Sequence, residues 1–207
     1  MPYEDQIHPI RILALGDSYT IGTGVVGDER WPNQLAAALR KHGLQVYVPG
    51  FLAHNGWTTG DLLAAISSFP YEGNFDLVTL LIGVNNQFQG LDIEEFHQDF
   101  ELLLKKAIEY TGGDPNRVIV LSIPDWGDTP FAAGFDRLRI SREIDEFNWI
   151  NRRLSNEAGV YHIDITPLSR QVGQQPANLV EDELHPSAEM YAAWVELVLP
   201  VALLILQ

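Results

Sequence analysis

The sequence has no cysteine among its 207 residues. That excludes a Cys nucleophile, a Cys-ligated zinc or iron–sulfur centre and a disulfide framework, and it fits a cytoplasmic setting. Basic side chains are also scarce, with 13 Lys+Arg against 28 Asp+Glu and a formal charge of −15. Such a field repels nucleic-acid phosphates and anionic lipid, so neither is an expected partner. Lys and Arg are missing from the first ten positions, where Glu4 and Asp5 stand instead, the opposite of the basic start of a secretory signal. The most apolar stretch, residues 192–206, is broken by Glu196 and Pro200 and falls short of the ~20 residues a bilayer span requires. It reads as a buried helix, not a stable membrane insertion. No Ser- or Pro-rich linker, charge block or internal repeat interrupts the chain, so residues 1–207 read as one domain.

What remains is a chain with 46% hydrophobic residues, enough for an ordinary packed core. Five short β-branched runs recur, at residues 10–15, 45–48, 77–82, 117–122 and 160–163. Helical patterns separate them, at residues 31–42, 59–67, 92–110, 137–158 and 186–206. Runs one, three and four are apolar on both faces, as strands covered by helices on two sides must be. The alternation predicts a doubly wound α/β sheet of about five parallel strands with right-handed crossovers. In such a sheet, ligands bind beyond the carboxyl ends of the strands, where the winding reverses. The residues that follow each strand therefore carry the functional expectation.

After strand one comes Gly16-Asp17-Ser18-Tyr19-Thr20. A serine at this bend serves as a helix cap or as a nucleophile. As a nucleophile it needs a base within reach and a third group to orient that base. Asp182-Glu183-Leu184-His185 offers both, because a carboxylate three residues before an imidazole can reach Nδ1 and leave Nε2 for the Ser18 proton. The spacing fits a solvated acidic loop with a capping histidine equally well. Acyl transfer also needs fixed donors for an oxyanion. Asn55-Gly56-Trp57-Thr58 presents a glycine amide after strand two, and Gly83-Val84-Asn85-Asn86 presents a neutral side-chain donor after strand three. Each alone is an ordinary Gly/Asn turn; all of them at one edge of one sheet are harder to attribute to turns.

Taken in order, Ser18 in Gly-Asp-Ser, Gly56, Asn85 in Gly-x-Asn and His185 in Asp-x-x-His resemble the four blocks of the SGNH, or GDSL-type, hydrolase family. The resemblance implies a flavodoxin-like three-layer α/β/α fold and ester hydrolysis with no metal and no cofactor. It implies Ser18 as nucleophile, Asp182 and His185 completing a triad, and an oxyanion hole of the Ser18 amide, the Gly56 amide and the Asn85 side chain. The expected function is a serine esterase acting on small carboxylic esters through an acyl-enzyme. Carbohydrate O-acetyl esterase, lysophospholipase and thioesterase are the alternatives within the family. A flavodoxin-like ligand-binding module is the non-enzyme alternative, and it leaves Asn85 and the Asp182–His185 pair without a role. Two positions depart from the family pattern: Asn86 stands where Asp is usual, and Tyr19 replaces the commoner Leu. The first leaves the orientation of Asn85 to a neutral hydrogen bond.

Trp57, Phe88, Trp126 and Phe131 fall on loops at the same edge and are the candidate substrate-binding residues, with residues 123–135 as the expected specificity segment. Arg137 and Arg139 follow that segment closely and are the main source of local positive charge there. Gly22-Thr23-Gly24-Val25-Val26-Gly27 satisfies a dinucleotide-binding pattern but follows the end of strand one by about six residues, too far for a phosphate turn.

Overall fold

Strands form where the sequence is apolar on both faces. In the computed structural model, which describes residues 8–68, 74–172 and 175–207, β1 (Ile12–Gly16), β3 (Leu77–Leu81) and β4 (Val118–Leu121) are buried along their whole length. The edge strands β2 (Gly50–Ala53) and β5 (Tyr161–Ile163) are only partly covered. All pairings are parallel, in the order β2-β1-β3-β4-β5. The winding reverses between β1 and β3. Gly16 pairs with Ala53 on one side and with Leu81 on the other, so the three loops leaving β1, β2 and β3 emerge side by side. The acidic start at Glu4 and Asp5 lies outside the described residues.

Helices cover both faces. One layer holds α2 (Trp31–Lys41) and α8 (Ala188–Leu206), which pack on each other. The other holds α3 (Thr59–Ser68), α5 (Ile93–Tyr110) and α6 (Arg137–Ala158). Helix ends follow local chemistry. The Asp136 carboxylate accepts from the Arg139 amide at 3.0 Å to start α6, and Gly159 adopts a left-handed φ of 73° to end it. Residues 192–206 do belong to a helix packed into the molecule. Met190, Tyr191, Trp194, Val195, Val198 and Ala202 of α8 point into the core, while Leu197 and Leu204 stay exposed. The Gln34 amide of α2 clasps the start of α8, donating to the Glu29 carbonyl at 2.6 Å and the Ala188 carbonyl at 2.9 Å.

Strand two departs from expectation. The run at residues 45–48 makes a single bridge, Val46 to Ile10, and the strand proper begins after Pro49. Proline has no amide to give a ladder, and Tyr47 and Val48 stand exposed beyond the sheet edge. Gly50, which carries no β-propensity, instead opens the strand as the ladder partner of Leu13. Three short helices were not expected: α1 (Ser18–Ile21), α4 (Val84–Phe88) and α7 (Thr166–Val172). Each is too short to show a periodic pattern.

Candidate active site

The bend after β1 is built by exclusion. A Cβ on Gly16 would collide with the Leu81 carbonyl of β3 and with the Thr20 side chain, so only glycine lets the chain turn directly into α1. Asp17 then caps that helix, its Oδ1 accepting from the Tyr19 amide at 3.0 Å. This puts Ser18 in the first turn. At the opposite wall, Asp182 organises a tight loop. Its Oδ1 accepts from the amides of Leu184 and His185, both at 2.9 Å, and its Oδ2 meets His185 Nδ1 at 2.6 Å. Glu183, between them, sits at φ 61°, a left-handed conformation costing a non-glycine residue ~1 kcal/mol. The Val180 amide donates to the His185 carbonyl at 2.9 Å and closes the loop.

Ser18, Gly56, Asn85 and His185 line one cavity of about 150 Å³, whose walls also include Tyr19, Leu184, Phe88 and Trp126. The Tyr19 ring supports the imidazole, with ring centroids 5.5 Å apart. Gly56 holds a φ of 80°, and nothing would meet a Cβ there, so backbone conformation alone calls for glycine. Asn85 Nδ2 donates to the Trp57 carbonyl at 2.9 Å. That neutral bond fixes the amide plane and leaves its second N–H for the cavity.

The GDSL-like Lipase/Acylhydrolase family matches residues 14–193. The chain belongs to this family. An arylesterase of Vibrio mimicus is 26% identical over 183 residues, spanning 86% of this chain and 81% of that one. Among solved structures, that of TesA superposes with a TM-score of 0.75 at 19% identity, covering 94% of this chain and 99% of TesA. Axe2, an acetylxylan esterase from Geobacillus stearothermophilus, gives 0.73 at 17% identity, covering 95% of each chain. The chain is a carboxylic ester hydrolase of the three-layer α/β/α type.

In this GDSL hydrolase the position usually held by Asp has been taken into a different network. Asn86 is buried, with Oδ1 accepting from the Thr59 amide at 3.0 Å and Nδ2 donating to Thr59 Oγ1 at 2.8 Å. Thr59 Oγ1 in turn donates to Asp99 Oδ2 at 2.9 Å. A carboxylate therefore stands behind the turn that carries Asn85 after all, supplied by α5 through a threonine.

The aromatic residues divide. Phe88 and Trp126 reach the cavity. Trp57 does not line it; its carbonyl holds Asn85 while its ring stacks on His54, centroids 5.6 Å apart. Phe131 does not line it either and packs against Trp126 and Phe135, at 6.1 and 6.0 Å. The loop carrying them is tied down by Asp125, which accepts from the Gly127 amide at 2.8 Å and from Arg170 Nε at 2.9 Å. The two arginines after the loop are engaged. Arg137 donates to the Thr129 carbonyl at 2.9 Å, and Arg139 Nε to Glu143 Oε1 at 2.6 Å. Gly22 and Gly24 have left-handed φ in an irregular loop after α1, not at a strand-to-helix phosphate turn.

The electrostatics of the two acids differ. Partial burial pushes the Asp182 carboxyl up, but the His185 amide and imidazole and the Leu184 amide together outweigh it, so the group lies below its usual range. Asp17 is fully buried, its Oδ2 has no hydrogen-bond partner, and burial raises its carboxyl from 3.8 to about 7. The folded chain thus keeps a proton that the unfolded chain releases at 3.8. The associated stability is full below that pH and is lost as the pH rises to about 7. The total corresponds to roughly 4 kcal/mol. Asp17→Asn, neutral at every pH, is expected to gain stability over the wild type progressively between pH 4 and pH 8. Chemical denaturation across that range checks this, and a stability gap that does not widen with pH would show the carboxylate is not held protonated.

Proposed function

We propose that the protein is a serine esterase that cleaves small, uncharged carboxylic esters through an acyl-enzyme on Ser18. The observation that carries this reading is the 2.6 Å Asp182–His185 contact, with His185, Ser18, Gly56 and Asn85 all lining one cavity. Asp182 fixes the Nδ1–H tautomer, so His185 Nε2 is the free base. Ser18 Oγ attacks the ester carbonyl and gives its proton to Nε2. The oxyanion forms against the Ser18 and Gly56 amides and the Asn85 side chain. The imidazolium returns the proton to the departing alcohol. Water, activated by the same imidazole, then attacks the acyl-serine and releases the acid.

The 150 Å³ cavity is half the lower bound of ~300 Å³ for drug-sized pockets, and it must hold the reacting carbon with its oxygens. Short acyl groups, acetyl first, fit it best. The charge of −15 and the engagement of Arg137 and Arg139 disfavour anionic esters. The decisive experiment is rapid mixing with an aryl acetate followed by acid quench. An acetyl adduct on the peptide containing Ser18 supports the acyl-enzyme, and turnover without any adduct on that serine would point to another nucleophile.

Asn85→Ala is expected to lower kcat by ~10² to 10³ with little change in KM, since an oxyanion donor acts on the transition state. Steady-state kinetics on the same aryl acetate tests this. If KM rises while kcat holds, Asn85 binds substrate in its ground state instead.

A further inference from the structure

Beside the catalytic cavity lies a larger cleft of about 540 Å³, and the two share the side chains of Phe88 and Trp126 as a common wall. The cleft contains neither Ser18 nor His185; it runs between α4 and α6. Building on the acyl-enzyme reading above, we propose that this cleft receives the alcohol half of the ester, and that this alcohol is a neutral, polyhydroxylated ring of the sugar type.

Three observations carry the assignment. The first is size: the acyl cavity is too small for more than a short acyl group, while the adjoining cleft falls in the ~300–1,000 Å³ range of ligand pockets. The second is the mixture of signs. Asp136, Glu143 and Glu146 supply acceptors, and the guanidinium of Arg139 supplies donors beyond the Nε it gives to Glu143. Three carboxylates against one guanidinium disfavour an anionic alcohol, and Glu143 is already held by Arg139 and Gln87. A hydroxyl both donates and accepts, so a ring bearing several of them can use both kinds of partner. The third is the apolar floor. Phe135 is half-exposed beside Trp126, centroids 5.1 Å apart, and offers a flat surface for the C–H face of such a ring.

The cleft is also wired to the acyl cavity. Trp126 Nε1 donates to Gln87 Oε1 at 2.7 Å, Gln87 Nε2 donates to Glu143 Oε2 at 2.8 Å, and Glu143 Oε1 accepts from Arg139 at 2.6 Å. Contacts made by the alcohol on Arg139 and Glu143 are thereby transmitted to the indole that walls the acyl group. Gln87 is the positioning residue in this relay, two places after Asn85 on the same short helix.

The test compares two acetyl esters of matched size, one of a pyranose ring and one of a cyclohexane ring lacking the hydroxyls, with an aryl acetate as reference. The wild type is expected to favour the pyranose ester in kcat/KM by at least about tenfold, one charge-assisted hydrogen bond's worth. Arg139→Ala should collapse that ratio toward one. Because both esters are read on the same sample, partial loss of folded protein cancels from the ratio. Equal rates, a preference for the carbocycle, an unchanged ratio in Arg139→Ala, or turnover of the aryl acetate alone would overturn the subsite. Failure to hydrolyse all three esters would instead overturn the esterase reading on which it rests.

Discussion

Ser18→Ala is expected to lower kcat on an aryl acetate by ~10⁴- to 10⁶-fold while leaving the fold intact. Only the hydroxyl is lost, and no helix cap goes with it, because Asp17 and not Ser18 caps α1. Removing the nucleophile of a Ser-His-Asp unit can cost ~10⁶, with a residue of catalysis left from oxyanion donors and binding. The measurement is kcat for the purified variant alongside its thermal melting curve. A variant that melts like the wild type yet keeps a tenth or more of its activity would remove Ser18 from the chemistry.

The second large effect is expected from Asp182→Asn, at ~10⁴ in kcat. The Asp182 carboxylate does two jobs with two oxygens: Oδ1 builds the loop by accepting the Leu184 and His185 amides, and Oδ2 holds His185 Nδ1. An asparagine that keeps Oδ1 toward the amides presents an NH₂ group to Nδ1. The imidazole then takes the other tautomer, with its proton on Nε2, where it cannot accept from Ser18. The loss should fall on kcat, with KM nearly unchanged. Asp182→Ala additionally strips the loop of its acceptor beside the strained Glu183, so it should lose thermal stability where Asp182→Asn does not. Equal stability in the two variants would mean that the loop is held by its other bonds.

The sheet was legible at β1, β3 and β4 because those segments are buried on both faces, and burial on two sides leaves an unbroken apolar run. It was misread at β2, where an edge strand carries no such run and the β-branched Val46 and Val48 lie beside it, not in it. That Ser18, Gly56 and Asn85 come together was legible because parallel topology puts the ends of β1, β2 and β3 side by side; His185, ahead of α8, was joined to them only by the resemblance of the ordered blocks. Their supports were not. Asn86 finds Thr59 across 27 positions, and Thr59 finds Asp99 across 40. Gln87 joins Trp126 across 39 positions and Glu143 across 56. Asn, Gln and Thr in a turn look the same whether they bond water or one another, and no local pattern separates the two. The aromatic positions show the same limit. Trp57 and Phe131 share the loop edge with Phe88 and Trp126, but which ring reaches the cavity depends on how each loop folds back.

The placement of His185 just ahead of α8 has a consequence for how activity arises during synthesis. Ser18 and the turns that carry Gly56 and Asn85 come from the first half of the sequence, whereas His185 precedes the helix that packs on α2. At roughly 5–20 residues per second, His185 is made on the order of ten seconds after Ser18. On the proposed mechanism, a nascent chain that already displays Ser18 has no base for it until His185 follows.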